Sequence, residues 1–116
     1  MRVVAFEDGY DIAAMLAAGG VDLEALNFTQ YWESSDAVSR SQGADVILLD
    51  HYMPPKRGLD VLIDLLAAIE AGDLERPEHL VAMSSAMSAN RAMLKAGADH
   101  GLVKSYIATL AFWPRA

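Results

Sequence analysis

Five short segments rich in apolar or β-forming residues recur along the chain, each ending in or followed by a charged or hydroxyl residue, and helical periodicity fills the gaps between them. RVVAFE (2–7), NFTQYWES (27–34), DVILLD (45–50), HLVAMS (79–84) and residues 100–103 read as strands. The first and third are uninterrupted apolar runs, the pattern of parallel strands covered on both faces, and the third is the clearest central strand. Between them, Ile12, Met15 and Leu16 repeat with helical spacing after a start at Gly9 or Asp11, and Gly19 and Gly20 close that helix. Ser34 or Ser35 is expected to cap a short polar helix over 36–42 that Gly43 ends. Leu59, Leu62, Ile63, Leu66 and Ile69 define a longer helix stopped by the AGD at 71–73. Ser88 is expected to cap a helix carrying Met93 and Leu94 up to Gly97, and residues 107–113 to form a stubby last helix ended by Pro114. This alternation predicts an α/β fold, a doubly wound five-stranded parallel sheet with right-handed crossovers.

Length and composition narrow the function. A chain of 116 residues, 53% apolar, fits one domain over 1–116 with one core and no disordered tract. Sixteen acids against nine Lys and Arg give a formal charge of -7, with Lys56–Arg57 the only adjacent basic pair, so direct nucleic-acid binding is disfavoured. The opening residues are neither a signal peptide nor a span, and the apolar stretch from Leu62 to Ile69 is broken by Asp64, so no membrane insertion and a cytoplasmic location are expected. Cysteine is absent, which removes thiolate chemistry, disulfides and cysteine-based zinc sites.

Doubly wound sheets hold their sites outside the carboxyl ends of the strands. Glu7, Asp8, Asp50, Ser84 and Lys104 all fall at such ends. Taken singly, the acids are ordinary solvated turn residues, Lys104 a surface lysine and Ser84 a turn hydroxyl. Taken together they describe a place for a divalent cation and a phosphoryl group. Asp8 and Asp50 offer hard oxygens suited to magnesium, with Glu7 acting directly or through water. Asp50 is the best-placed carboxylate nucleophile, and Lys104 and Ser84 can neutralise phosphoryl oxygens.

In this arrangement the chain resembles the receiver domain of bacterial response regulators over essentially its whole length. Glu7-Asp8 after the first strand, DHYMPPKRG with Asp50, Met53-Pro54 and Gly58, VAMSS, and KAGADHGLVK with Gly97, Ala98, Asp99 and Lys104 carry the likeness. It implies a flavodoxin-like three-layer sandwich of strand order 2-1-3-4-5. It also implies that Asp50 accepts a phosphoryl group from the phosphohistidine of a histidine kinase or phosphotransfer protein. Mg2+ would be held by Glu7, Asp8, Asp50 and the carbonyl of Tyr52, with Lys104 and Ser84 as the catalytic lysine and switch hydroxyl. The output would be switched contact with a downstream protein target, and autodephosphorylation would be slow, so the enzyme label is partial. A start at Met1 directly on the first strand favours a stand-alone, chemotaxis-like receiver over a piece of something longer.

Several positions depart from the family pattern. Gly101 stands where the family has a coupling aromatic, with His100 and Tyr106 as the nearest substitutes, and Ser105 follows Lys104 where proline forms a cis bond. Without proline a cis bond costs about 2.5–4 kcal/mol, so the Lys104–Ser105 bond is expected to be trans, or cis under strain. The loop after Ser84 runs about two residues shorter before KAGAD than the family's, which implies a shortened fourth helix or a shortened approach to it. Tyr52 and Ala86 flank the path of the attacking water in the family, and a bulky Tyr52 without an acid or amide at 86 implies a long-lived phosphate. Phe112 and Trp113 either pack on the sheet or form an exposed patch for a homodimer or partner. His51, His79 and His100 share no apparent face or metal-ligand spacing. Two alternatives remain: a pseudo-receiver that docks partners without phosphorylation, and a small phosphohydrolase on a related fold. The chain has no cap insertion for the second, and neither GxGxxG nor GxxxxGK occurs.

Overall fold

The computed structural model describes residues 1–116. Five parallel strands, β1 (Arg2–Phe6), β2 (Asn27–Tyr31), β3 (Val46–Leu49), β4 (His79–Ala82) and β5 (His100–Gly101), form one sheet in the order β2-β1-β3-β4-β5. The helices are α1 (Ile12–Ala18), α2 (Ala37–Arg40), α3 (Gly58–Ala71) and α4 (Met87–Ala96), with 3-10 segments at Leu23–Ala25 and Lys104–Thr109. The order expected from the resemblance holds, and the strand reversal lies between β1 and β3, whose register pairs Phe6 with Leu49.

Strand alternation divides the core into two layers. Val4, Phe6, Ile47, Leu49, Leu80 and Ala82 point to α2, α3 and α4, where Val61, Leu62, Leu65 and Met93 close the layer. Val3, Ala5, Val46, Leu48, Val81 and Met83 point to the other face, covered by Ile12 and Leu16 of α1 and by Ile107 and Trp113. All four residues of β3 are buried, as expected for a central strand packed on both sides.

Helix starts were the least legible part of the pattern. Asp11 caps α1 as expected, accepting from Ala14 N at 3.0 Å. Neither Ser34 nor Ser35 caps α2; that place falls to Asp36 in the left-handed region (φ 54) without a side-chain bond. Ser34 is 2% exposed and instead holds the loop after Asp50, donating to Lys56 O at 2.7 Å and accepting from Lys56 N at 2.8 Å. Ser88 lies within the first turn of α4, whose cap is the extended Ala86.

The C-terminal region differs most from expectation. No α-helix forms over 107–113; the chain enters a 3-10 segment at Lys104, and the Lys104–Ser105 bond is trans. Six residues of 3-10 helix then give way to an extended Leu110, a turn over 111–113 and a bridged end. There Asp22 N donates to Pro114 O at 2.9 Å and Val21 bridges Arg115. Trp113 is 3% exposed, and its Nε1 donates to Ile107 O at 2.8 Å, while Phe112 is half-buried and stacked on His79. The exposed aromatic patch considered for this region is therefore replaced by packing on the sheet. No helix is long and apolar enough to cross a membrane.

Candidate functional site

Each strand delivers its last residue to the same edge. Glu7 N donates to Tyr31 O at 3.1 Å and Asp50 N to Phe6 O at 3.0 Å, so the ladder itself carries Glu7 and Asp50 to adjacent positions beyond β1 and β3. A cavity of about 420 Å³ opens there, lined by Glu7, Asp8, Asp50, Tyr52, Ser84 and Lys104 together with Gly9, Tyr10, Ser85 and Ala86. All six residues singled out from the sequence thus meet in one place.

Glycine permits this closeness at one position. A Cβ on Gly58 would fall 2.0 Å from Asp50 O, so the start of α3 presses directly on the Asp50–His51 backbone. Gly58 N donates to His51 O at 2.8 Å, and the His51 ring, 7% exposed, accepts from Leu59 N through Nδ1 at 3.3 Å. The ring therefore satisfies an open N–H in the first turn of α3.

The charges are buried and crowded. Glu7, Asp50 and Lys104 are 1%, 4% and 6% exposed, while Asp8 is exposed. The Lys104 ammonium pairs with Glu7 Oε1 and lies 3.5 Å from Asp50 Oδ1; Glu7 Oε2 accepts from Gly9 N at 2.8 Å. The Tyr10 ring centroid is 4.8 Å from the same ammonium. One cation serving two buried carboxylates leaves excess negative charge. Burial, then the Glu7 charge, push the Asp50 carboxyl above its ordinary value, against the pull of Lys104.

Oxygen atoms of Glu7, Asp8 and Asp50 all lie within 4.8 Å of one another. Three hard carboxylate donors with an unneutralised charge suit a divalent cation of the magnesium or calcium type. The Ser84 hydroxyl accepts from Ala86 N at 3.1 Å, which turns the loop after β4 over the cavity.

Two features escaped sequence reasoning. Asn90, fully buried in α4, clasps the backbone of Ser84: it accepts from Ser84 N at 2.7 Å and donates to Ser84 O at 2.9 Å and Leu102 O at 3.0 Å. The signal in the sequence was a polar residue on the apolar stripe that includes Met93. The second is a correction: His79 and His100 do share a face, with Nδ1 and Nε2 3.0 Å apart and Phe112 stacked on His79 at 4.0 Å. The register pairing Val81 with His100 sets His79 diagonally beside it, a relation that exists only once β4 and β5 are aligned.

No protein-family model and no curated sequence matches the chain. Solved structures do match, and they define the fold as that of response regulator receiver domains, of the chemotaxis-regulator type. The BeF3-activated receiver domain of Klebsiella pneumoniae RstA is 20% identical with a TM-score of 0.66, over 90% of this chain and 86% of that one. The phosphorylated cyanobacterial phytochrome response regulator RcpA is 18% identical with a TM-score of 0.68, over 93% and 83%. A Burkholderia pseudomallei response regulator with a phosphorylated aspartic acid, a calcium ion and citrate is 18% identical with a TM-score of 0.67, over 93% of this chain and 62% of that one.

Proposed function

We propose that residues 1–116 form a two-component receiver module that takes a phosphoryl group onto Asp50 from a phosphohistidine donor and thereby switches contacts with a downstream protein. The observation that supports this best is the meeting of three carboxylates, one ammonium and one hydroxyl in a single cavity at the strand ends, on a fold whose solved examples include phosphorylated and BeF3-activated receivers. The donor is a histidine kinase or a histidine phosphotransfer protein, and a cytoplasmic location belongs to this reading.

In this mechanism an Asp50 carboxylate oxygen bonds to phosphorus as the phosphorus–nitrogen bond of the donor breaks. Glu7, Asp8, Asp50 and the Tyr52 carbonyl would hold Mg2+, which supplies positive charge to the transferring oxygens. Lys104 is already 3.5 Å from Asp50 Oδ1 and neutralises a phosphoryl oxygen as the carboxylate charge is consumed. The Ser84 hydroxyl, at the cavity wall, donates to another oxygen, and that new bond draws the β4–α4 loop inward. Tyr52, 62% exposed at the cavity mouth, obstructs water and prolongs the phosphate. Tyr52→Asn is expected to hasten loss of the phosphoryl group, measured as decay of the phosphorylated mass.

The pseudo-receiver reading has one observation in its favour: Leu94 closes the space beside Gly101 that a coupling aromatic would need. The decisive experiment is incubation with acetyl phosphate and magnesium, read by intact mass beside Asp50→Ala and magnesium-free controls. One added phosphoryl group that requires both Asp50 and the metal is expected. No adduct, together with no binding of beryllofluoride, would leave the docking module as the better reading.

A further inference from the structure

β4 and β5 stop pairing just where the site begins. Their register ends at Ala82 with Gly101, and the last direct bond runs from Leu102 N to Ala82 O at 3.1 Å. Beyond it the Asn90 amide stands between the two chains, its oxygen toward Ser84 N and its nitrogen toward Ser84 O and Leu102 O. One donor and two carbonyls around the group dictate that orientation of the amide. Asn90 is 0% exposed, so these bonds have no water to replace them.

One turn further along α4, Leu94 rests on β5. A Cβ at Gly101 would lie 2.7 Å from Leu94 Cδ1 and 3.3 Å from Asn90 O. The same helix therefore grips the Ser84 peptide at one point and lies against β5 at the next. A shift of the Ser84 peptide either drags α4 and Leu102 with it or breaks buried hydrogen bonds.

We infer that Asn90 is the positioning residue that carries displacement of Ser84 to α4 and β5, in a chain whose fifth strand has glycine in place of an aromatic. This rests on the receiver reading, since it needs a ligand on Asp50 that moves Ser84. Leu94, 38% exposed on α4, lies on the part of the surface that would change.

The test records backbone amide spectra of the full chain with and without magnesium and beryllofluoride, for wild type, Asn90→Ala and Leu94→Ala. In wild type the amides of Ser84, Leu102 and Met87–Ala96 are expected to shift on binding. In Asn90→Ala, beryllofluoride still binds and Asp50 and Ser84 still respond, but the shifts at Leu102 and α4 fall about fivefold or more. Leu94→Ala, which loosens α4 without touching the amide, keeps them. Should Asn90→Ala not fold, Asn90→Asp keeps the shape and the acceptor for Ser84 N while leaving at most one donor for the two carbonyls of Ser84 and Leu102, so that Asn90 no longer bridges them, and is read in the same way. Full shifts in the Asn90 variant, or an equal loss in Leu94→Ala, would overturn the inference. Failure of wild type itself to bind beryllofluoride would sink the receiver reading, and the coupling with it, before any variant is compared.

Discussion

At the residue scale the crowding of buried charge at the strand ends works against stability. Asp50 is buried beside Glu7, and Lys104 cannot neutralise both carboxylates. Asp50→Asn removes one of the two charges while Lys104 keeps Glu7, so the metal-free protein is expected to gain about 0.5–2 kcal/mol. Thermal melts should show this as a higher midpoint for the variant without metal, and as a magnesium-induced rise that is present in wild type and absent in the variant. Glu33 behaves in the opposite sense. Bonds from the Ser35 side chain and backbone, and then from Arg40, hold its carboxyl at about 2 against an ordinary 4.5. The folded protein thus binds this proton less tightly than the unfolded chain, so the contribution is complete above pH 4.5 and is lost as pH falls toward 2. The pair is partly exposed and screened by salt, so the effect is small. Urea unfolding of wild type against Glu33→Gln across that range should show a stability difference that closes as the pH is lowered.

At the element scale, close approach matters more than propensity. α3 begins where a single missing Cβ lets it lie on the Asp50–His51 backbone. Because the obstructing atom is a main-chain oxygen 2.0 Å away, no rotamer change can relieve a side chain at 58. Gly58→Ala is expected to cost at least the upper end of about 1–3 kcal/mol and to lower beryllofluoride affinity by displacing Asp50, checked by denaturant unfolding and titration. The strands and the long α3 were legible because their apolar periods are strong. The starts of α2 and α4 were not: Ser34 and Ser88 have the right chemistry for caps, but Ser34 is taken by the loop at Lys56, and α4 begins one residue before Ser88. A hydroxyl that can cap can equally bond a distant loop, and sequence spacing does not choose between the two.

At the scale of the whole molecule, the layer where the sequence predicts a last α-helix is closed by a 3-10 segment and a turning, packed C-terminus. Trp113 fills the space against Ile107, and Arg115 donates to Gly19 O at 3.0 Å, tying the end of the chain to the end of α1. Losing a buried indole costs about 3–5 kcal/mol, a large part of the 5–15 kcal/mol that holds a typical domain. Trp113→Ala is accordingly expected to lower the urea midpoint sharply while leaving the cavity at the opposite edge of the sheet chemically intact. Residual beryllofluoride binding at low temperature is the measurement that separates the two.

The order of apolar runs and the charged residues that end them determined the sheet, its parallel character and the convergence of Glu7, Asp8, Asp50, Ser84 and Lys104, because strand ends in such a sheet share one edge whatever the loops do. Tertiary structure alone decided which hydroxyls cap helices, that the last helix is replaced by packed tail, that His79 faces His100, and that the amide of Asn90 joins Ser84 to Leu102. Each of these depends on atoms brought together from separate elements. Local period and spacing describe a single element, whereas a buried polar side chain takes the partner that folding sets within about 3 Å of it.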